Sequence, residues 1–185
     1  MSALRSFVDV LERVGVPYML TGSYASSYHS VPRATIDLDF VVAPTRDQVR
    51  SLVAMLPKDH FYVDEGAALE ALDTHGQFNA IHTESGWKAD FIIRKPRPFS
   101  AREFERRHRA TVEGVELTIA TAEDVVLSKL EWSKLGGSAR QIEDAATVLR
   151  TRKQMVDWDY LDTWVPRLGV ETQWSAALEA AGIER

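Results

Sequence analysis

The segment IDLDFVV, Ile36 to Val42, alternates apolar and acidic residues and then closes on an apolar run. Alternation of period two predicts a strand with Ile36, Leu38, Phe40 and Val42 on one face. The opposite face then carries Asp37 and Asp39, ~7 Å apart along the strand. Two carboxylates this close repel each other unless a cation lies between them. Burying charge without a partner is costly. The core therefore takes one face, and the other remains a carboxylate ledge.

A third acid follows the same logic. In WKADFIIR, Trp87, Ala89, Phe91 and Ile93 share one face, while Lys88, Asp90 and Ile92 share the other. Asp90 is thus a further acid on the side away from the core set, with Lys88 beside it as a candidate site residue. Carboxylate oxygens suit hard cations such as Mg²⁺. Three such acids can hold two ions ~3.5–4 Å apart, the arrangement used for in-line displacement at phosphorus. One ion would lower the pKa of an attacking hydroxyl, and the other would neutralise a triphosphate and its leaving pyrophosphate. Upstream, Gly22 lets the backbone approach a ligand closely, and the N–H groups that open the next helix can cradle a phosphate. Ser23 adds a hydroxyl donor. Arg33, just before the strand, lies where it can reach a phosphate oxygen.

The remaining chain reads as sheet first and helices later. SALRSFVDVLERV predicts an opening amphipathic helix ended by Gly15 and Pro17, and PYML a short strand. GSYASSYHS predicts a turn leading into a short helix. TRDQVRSLVAML begins with a capping box, Thr45 with Gln48, and buries Val49, Leu52, Val53 and Leu56. HFYVD is a strand and GAALEAL a short helix. QFNAIHT and WKADFIIR form an antiparallel hairpin about ESG, and ATVEGVELTIA a second about Glu113-Gly114. From Thr121 the chain is helical. Four of the five tryptophans lie from Trp132 on, which predicts a bundle burying large side chains. The expected division is a sheet domain over residues 1–120 and a helical part over 121–185. Lys129 borders the buried stripe of its helix, where a long side chain either snorkels or reaches a cleft.

Bulk composition limits the function classes. The net charge of −5 excludes a generic polyanion binder, although Arg94 to Arg109 holds seven Lys or Arg against two Glu. Only Phe99 and Phe104 are aromatic in that stretch, so it offers no stacking platform for single-stranded RNA. The absence of cysteine excludes disulfides and thiolate metal sites. The N-terminus has no signal-peptide core, and no run approaches the ~20 apolar residues of a membrane helix. A cytoplasmic setting is expected. His29, His60, His75, His82 and His108 show no ligand spacing and read as structural or surface groups.

Gly22-Ser23, then Asp37-Leu38-Asp39, then Asp90 resembles the DNA polymerase β-type nucleotidyltransferase superfamily. Lys88-x-Asp90, EDVVLSKLEW with Lys129, and RQIEDAATVL with Arg140 and Asp144 resemble the small bacterial AbiEii-like, toxin-type members, over roughly residues 15 to 170. The resemblance implies an α+β fold, a small mixed or antiparallel sheet with flanking helices followed by a C-terminal helical bundle. It implies transfer of a nucleoside monophosphate from an NTP such as ATP to a hydroxyl, with two Mg²⁺ ions or Mn²⁺ in their place. Asp37, Asp39 and Asp90 would be catalytic and hold the metal. Gly22, Ser23, Arg33, Lys88, Lys129, Arg140 and Asp144 would bind nucleotide. Acceptors in such families include tRNA or other RNA, protein and small molecules, and several members are toxins with an antitoxin partner.

Two other metal-binding Asp-x-Asp families fit less well. In haloacid-dehalogenase-type phosphatases the apolar strand precedes the first Asp, whereas here it follows. Sugar-nucleotide glycosyltransferases need a longer nucleotide-binding region before the motif than the 36 residues present. The alternative from another class is a catalytically silent nucleotide-binding or antitoxin-like module of the same fold.

Overall fold

The computed structural model describes residues 2–32 and 35–185, so Arg33 lies outside the described residues. In chain order the elements are α1 (Ala3–Val14), β1 (Tyr18–Thr21), α2 (Gly22–His29), β2 (Asp37–Val42), α3 (Arg46–Met55), β3 (Phe61–Val63), α4 (Glu65–Thr74), β4 (Gln77–His82) and β5 (Lys88–Ile93). There follow α5 (Pro98–Arg106), β6 (His108–Val112), β7 (Val115–Ile119), α6 (Ala122–Gly136), α7 (Ala139–Arg152), α8 (Trp158–Leu168) and α9 (Glu171–Ala181). They group into two compact units. One comprises Met1–Thr21 and Thr35–Ile119, the other Gly22–Ala34 and Ala120–Arg185.

The first unit is built on one mixed sheet with strand order β3-β4-β5-β2-β1-β7-β6. β2 runs parallel to β5 and β1 parallel to β7, while the other neighbours are antiparallel. An aromatic row crosses its core face. Phe40 lies opposite Phe91, and Phe91 opposite Phe78. Their rings stack, with centroids 5.9 Å apart for the first pair and 5.0 Å for the second. Phe7 of α1 closes edge-on over Phe91 at 6.2 Å. Both hairpins form as expected. Glu113 and Gly114 take φ of 49° and 75°, the paired positive values of a tight hairpin turn matched to strand twist.

The helical ends follow the chain's own signals. Ser2 caps α1 and Gly15 ends it in the left-handed region, its N–H bonded to Leu11 and Glu12 carbonyls. Thr45 and Gln48 make the reciprocal capping box of α3. Tyr18 ties α1 to the sheet. Its hydroxyl donates to Glu12 Oε1 at 2.8 Å, and Arg109 Nη1 donates to the same oxygen at 2.7 Å.

The second unit consists of α2 and α6–α9. Val125, Val126, Leu127 and Leu130 of α6 meet Ala145, Ala146, Val148 and Leu149 of α7, all with no measurable exposure. α2 is fixed among them by His29, whose ring nitrogen bonds the Ala120 carbonyl at 2.8 Å, and by Arg152, which donates to the His29 carbonyl at 2.9 Å. The buried Asp124 accepts from Tyr160 Oη and Thr121 Oγ1, both at 2.6 Å. Among the described residues, no helix is long and apolar enough to cross a membrane.

Three expectations need correction. Ile36 stands before β2 and is 56% exposed, with its carbonyl accepting from the Lys88 N–H. No turn precedes α2, because the helix begins at Gly22 itself. The bundle buries one of its four tryptophans. Trp132 is half exposed, and of the four only Trp164 is buried; small and branched side chains fill the interior instead.

Phe91→Ala would remove the centre of the aromatic row and is expected to cost ~3–5 kcal/mol in urea unfolding. The Tyr18 pKa is pushed up to about 12, first by burial and then by its bond to the Glu12 carboxylate. A raised folded value means its stabilisation is complete below the usual tyrosine pKa of 10.0 and is lost as pH climbs from there through about 12. Phenolate absorbance should therefore show Tyr18 ionising well above the usual tyrosine value. Tyr18→Phe should remove that alkaline loss of stability.

Candidate active site

Alternation along β2 and β5 decides which side chains meet. Thr21 of β1 lies opposite Asp39, Asp39 opposite Asp90, and Asp90 opposite Asn79 of β4. Partners in register project to the same face, on strands ~4.8 Å apart. One step along, Asp37 lies opposite Lys88. The three predicted acids and Lys88 therefore share one face of the first unit's sheet, one residue out of phase with the aromatic row.

Lys88 is the organising charge of this cluster. Its Nζ is 2.8 Å from Asp90 Oδ2 and 3.7 Å from Asp37 Oδ1. Its pKa is raised, chiefly by the hydrogen bond to Asp90, against the opposing cost of burial; the charges of Asp90, Asp37 and Asp39 raise it further. Its contribution to stability is complete below the ordinary value of 10.5 and is lost only as pH rises through the higher folded value. Asp90 is the most enclosed of the bonded groups, with 14% of its side chain exposed against 52% for Asp37.

The donor set is all carboxylate, the chemistry that suits a hard divalent cation. Among the described residues, no group of three His, Cys, Asp or Glu is placed to hold a metal ion. Mg²⁺ asks less. It commonly takes one or two protein carboxylates and completes its shell with water and substrate phosphates. The facing pair Asp39 and Asp90, with Asp37 beside them, fits that smaller demand.

The second unit gathers another part of the predicted set. Gly22 opens α2 with φ of 64°, a left-handed value that strains any side-chain-bearing residue. Ser23 Oγ accepts from Lys129 Nζ at 3.4 Å, and Asp144 Oδ2 from the same ammonium at 2.8 Å. Lys129 does not snorkel: only 4% of its side chain is exposed. Asp144 thus neutralises and aims Lys129. Arg140 is exposed and forms no ion pair with Asp144 among the described residues, although their spacing permits one. Thr21 and Asn79 join the acid row without having been singled out from sequence; the alternating pattern of QFNAIH is the signal that marks Asn79.

Asp144→Ala would leave a buried ammonium without its counter-ion, with an expected loss of ~3–5 kcal/mol on chemical denaturation. The double variant Lys129→Met/Asp144→Leu should regain most of that loss, because an apolar pair of similar volume replaces the ions.

No family model matches the chain, and no curated protein matches it. Solved structures do. The antibiotic-resistance factor ANT(2'')-Ia matches with a TM-score of 0.58 at 14% identity, over 94% of this chain and 91% of that one. A crystal structure of ANT(2'')-Ia with adenylyl-2''-tobramycin gives 0.57 at 14% identity over 95% of both chains. An antigenic nucleotidyltransferase-like protein from Paracoccidioides brasiliensis gives 0.53 at 15% identity, over 100% and 96%. The lincomycin-bound lincosamide adenylyltransferase LnuA gives 0.50 at 10% identity, over 80% and 98%. The order of elements, the mixed sheet and these likenesses together identify the architecture of this chain as the nucleotidyltransferase fold.

Proposed function

We propose that the protein transfers a nucleoside monophosphate from an NTP to a hydroxyl acceptor. One observation carries the reading: Asp39 faces Asp90 across parallel strands, with Asp37 on the same open face. Three clustered carboxylates are poor structural choices and good ones for phosphoryl chemistry. In the reaction, the acceptor oxygen attacks the α-phosphorus in line. The bond from that phosphorus to the bridging oxygen breaks, and pyrophosphate leaves with the electron pair. Asp90 is the group proposed to take the hydroxyl proton.

Mg²⁺, with Mn²⁺ as substitute, would be held by the facing pair Asp39 and Asp90, with Asp37 beside them, and would supply charge neutralisation and activation of the hydroxyl. Gly22 and Ser23 are proposed to hold triphosphate oxygens through backbone N–H and hydroxyl groups, with Lys129 adding charge. Arg33 and the exposed Arg140 are assigned to the same anion. Asp144 acts through Lys129. The proposed acceptor is a small polyhydroxylated molecule. The support is the likeness to ANT(2'')-Ia and LnuA, whose structures contain adenylyl-2''-tobramycin and lincomycin. Activity on RNA or protein, as for a toxin with its antitoxin, is the competing reading.

Incubation of the protein with each labelled NTP, Mg²⁺ and separate panels of aminoglycosides, lincosamides, RNA and protein should give label on a small molecule with release of pyrophosphate. Asp90→Asn should lower the rate by about 10²–10⁴-fold while circular dichroism stays unchanged. Label on RNA or protein alone would replace the acceptor proposed here. Nucleotide binding without transfer in any panel would favour a silent binding module.

A further inference from the structure

The acid cluster contains its own cation. Asp37, Asp39 and Asp90 carry three negative charges on one sheet face, and Lys88 reaches two of them at 2.8 and 3.7 Å. Lys88 starts β5 at the position opposite Asp37 and lies two residues before Asp90, so it points to the acid face by strand geometry. Its side chain is only partly open to solvent, at 35% exposure. Asp90 is the more enclosed partner of the closer contact, where charges interact more strongly than in bulk water. No other lysine or arginine ion-pairs with Asp37 or Asp90 among the described residues.

We infer that Lys88 is a tethered counter-ion that competes with the divalent cation for Asp90 and Asp37, and so sets how tightly the nucleotide-free protein binds that cation. The inference rests on the nucleotidyl-transfer reading, which supplies the metal. In the free protein the ammonium lies against both carboxylates and offsets their mutual repulsion. A divalent ion that enters must displace the Lys88 bond to Asp90. Nucleotide brings phosphate oxygens to which the displaced ammonium can turn. Metal and nucleotide are therefore expected to bind cooperatively, each making the other's entry easier.

Mn²⁺ binding to the nucleotide-free protein, followed by calorimetry and by electron paramagnetic resonance, tests this without any turnover. Lys88→Met should bind Mn²⁺ about tenfold or more tightly than the wild type, the least change expected when a neighbouring opposite charge is removed. Lys88→Arg, which keeps the charge, should stay close to wild type. Addition of a non-hydrolysable nucleotide should tighten Mn²⁺ binding more in the wild type than in Lys88→Met. Should Lys88→Met fail to fold, as read by circular dichroism, Lys88→Gln takes its place with the same expectation. Equal or weaker Mn²⁺ affinity in the uncharged variant, with Asp39→Asn abolishing binding, would overturn the role of Lys88 and leave the metal reading intact. No Mn²⁺ binding in any variant, with or without nucleotide, would overturn both.

Discussion

The stacking of Phe40, Phe91 and Phe78 fixes the register of β2, β5 and β4, and the candidate chemistry depends on that register. Each ring sits one residue away from an acid-row position: Phe40 beside Asp39, Phe91 beside Asp90, Phe78 beside Asn79. A slip of one residue between strands would turn an aromatic outward and a carboxylate inward. The penalty on both faces is severe, since the rings would lose their buried stacking and the carboxylate would lose water. The hydrophobic core thus does more than stabilise the sheet. It specifies which carboxylates become neighbours, although the two strands are separated by nearly fifty residues of sequence.

The second unit solves a different electrostatic problem. Its interior holds charged groups that water cannot serve, and Asp124 and Lys129 are each matched to partners. Asp124 accepts from Tyr160 and Thr121, and Lys129 is held by Asp144 and Ser23. Such pairs contribute little net stability, yet losing one member is costly. They narrow the ways in which alanine-rich helices can settle, since a core of small side chains has few shape constraints of its own. The fixed position of α2, secured by His29 and Arg152, follows from the same need to satisfy buried groups.

Much of this was legible in the residues. Period two in IDLDFVV and WKADFIIR located the acids and their common face. Thr45 with Gln48, Gly15 and Glu113-Gly114 marked a helix start, a helix end and a hairpin, because their chemistry acts locally. The strand order and the facing of Asp39 with Asp90 were not legible, since pairing between distant strands leaves no trace in local pattern. The ion pair of Lys88 was hidden for the same reason: spacing put it on the correct face, and only the fold brought Asp37 within reach. Trp132 misled because an aromatic side chain signals burial only on average. The exposure of Ile36 was missed because a strand's edge lies wherever its neighbours stop, and the sequence of one strand does not record that.

The interleaving of rings and acids also bears on inheritance. Positions that hold the sheet together and positions that carry chemistry occupy alternate sites on the same strands, so substitutions at one set need not disturb the other. A descendant can exchange Thr21, Asn79 or Lys88 and keep its core, or repack around Phe78 and keep its carboxylates.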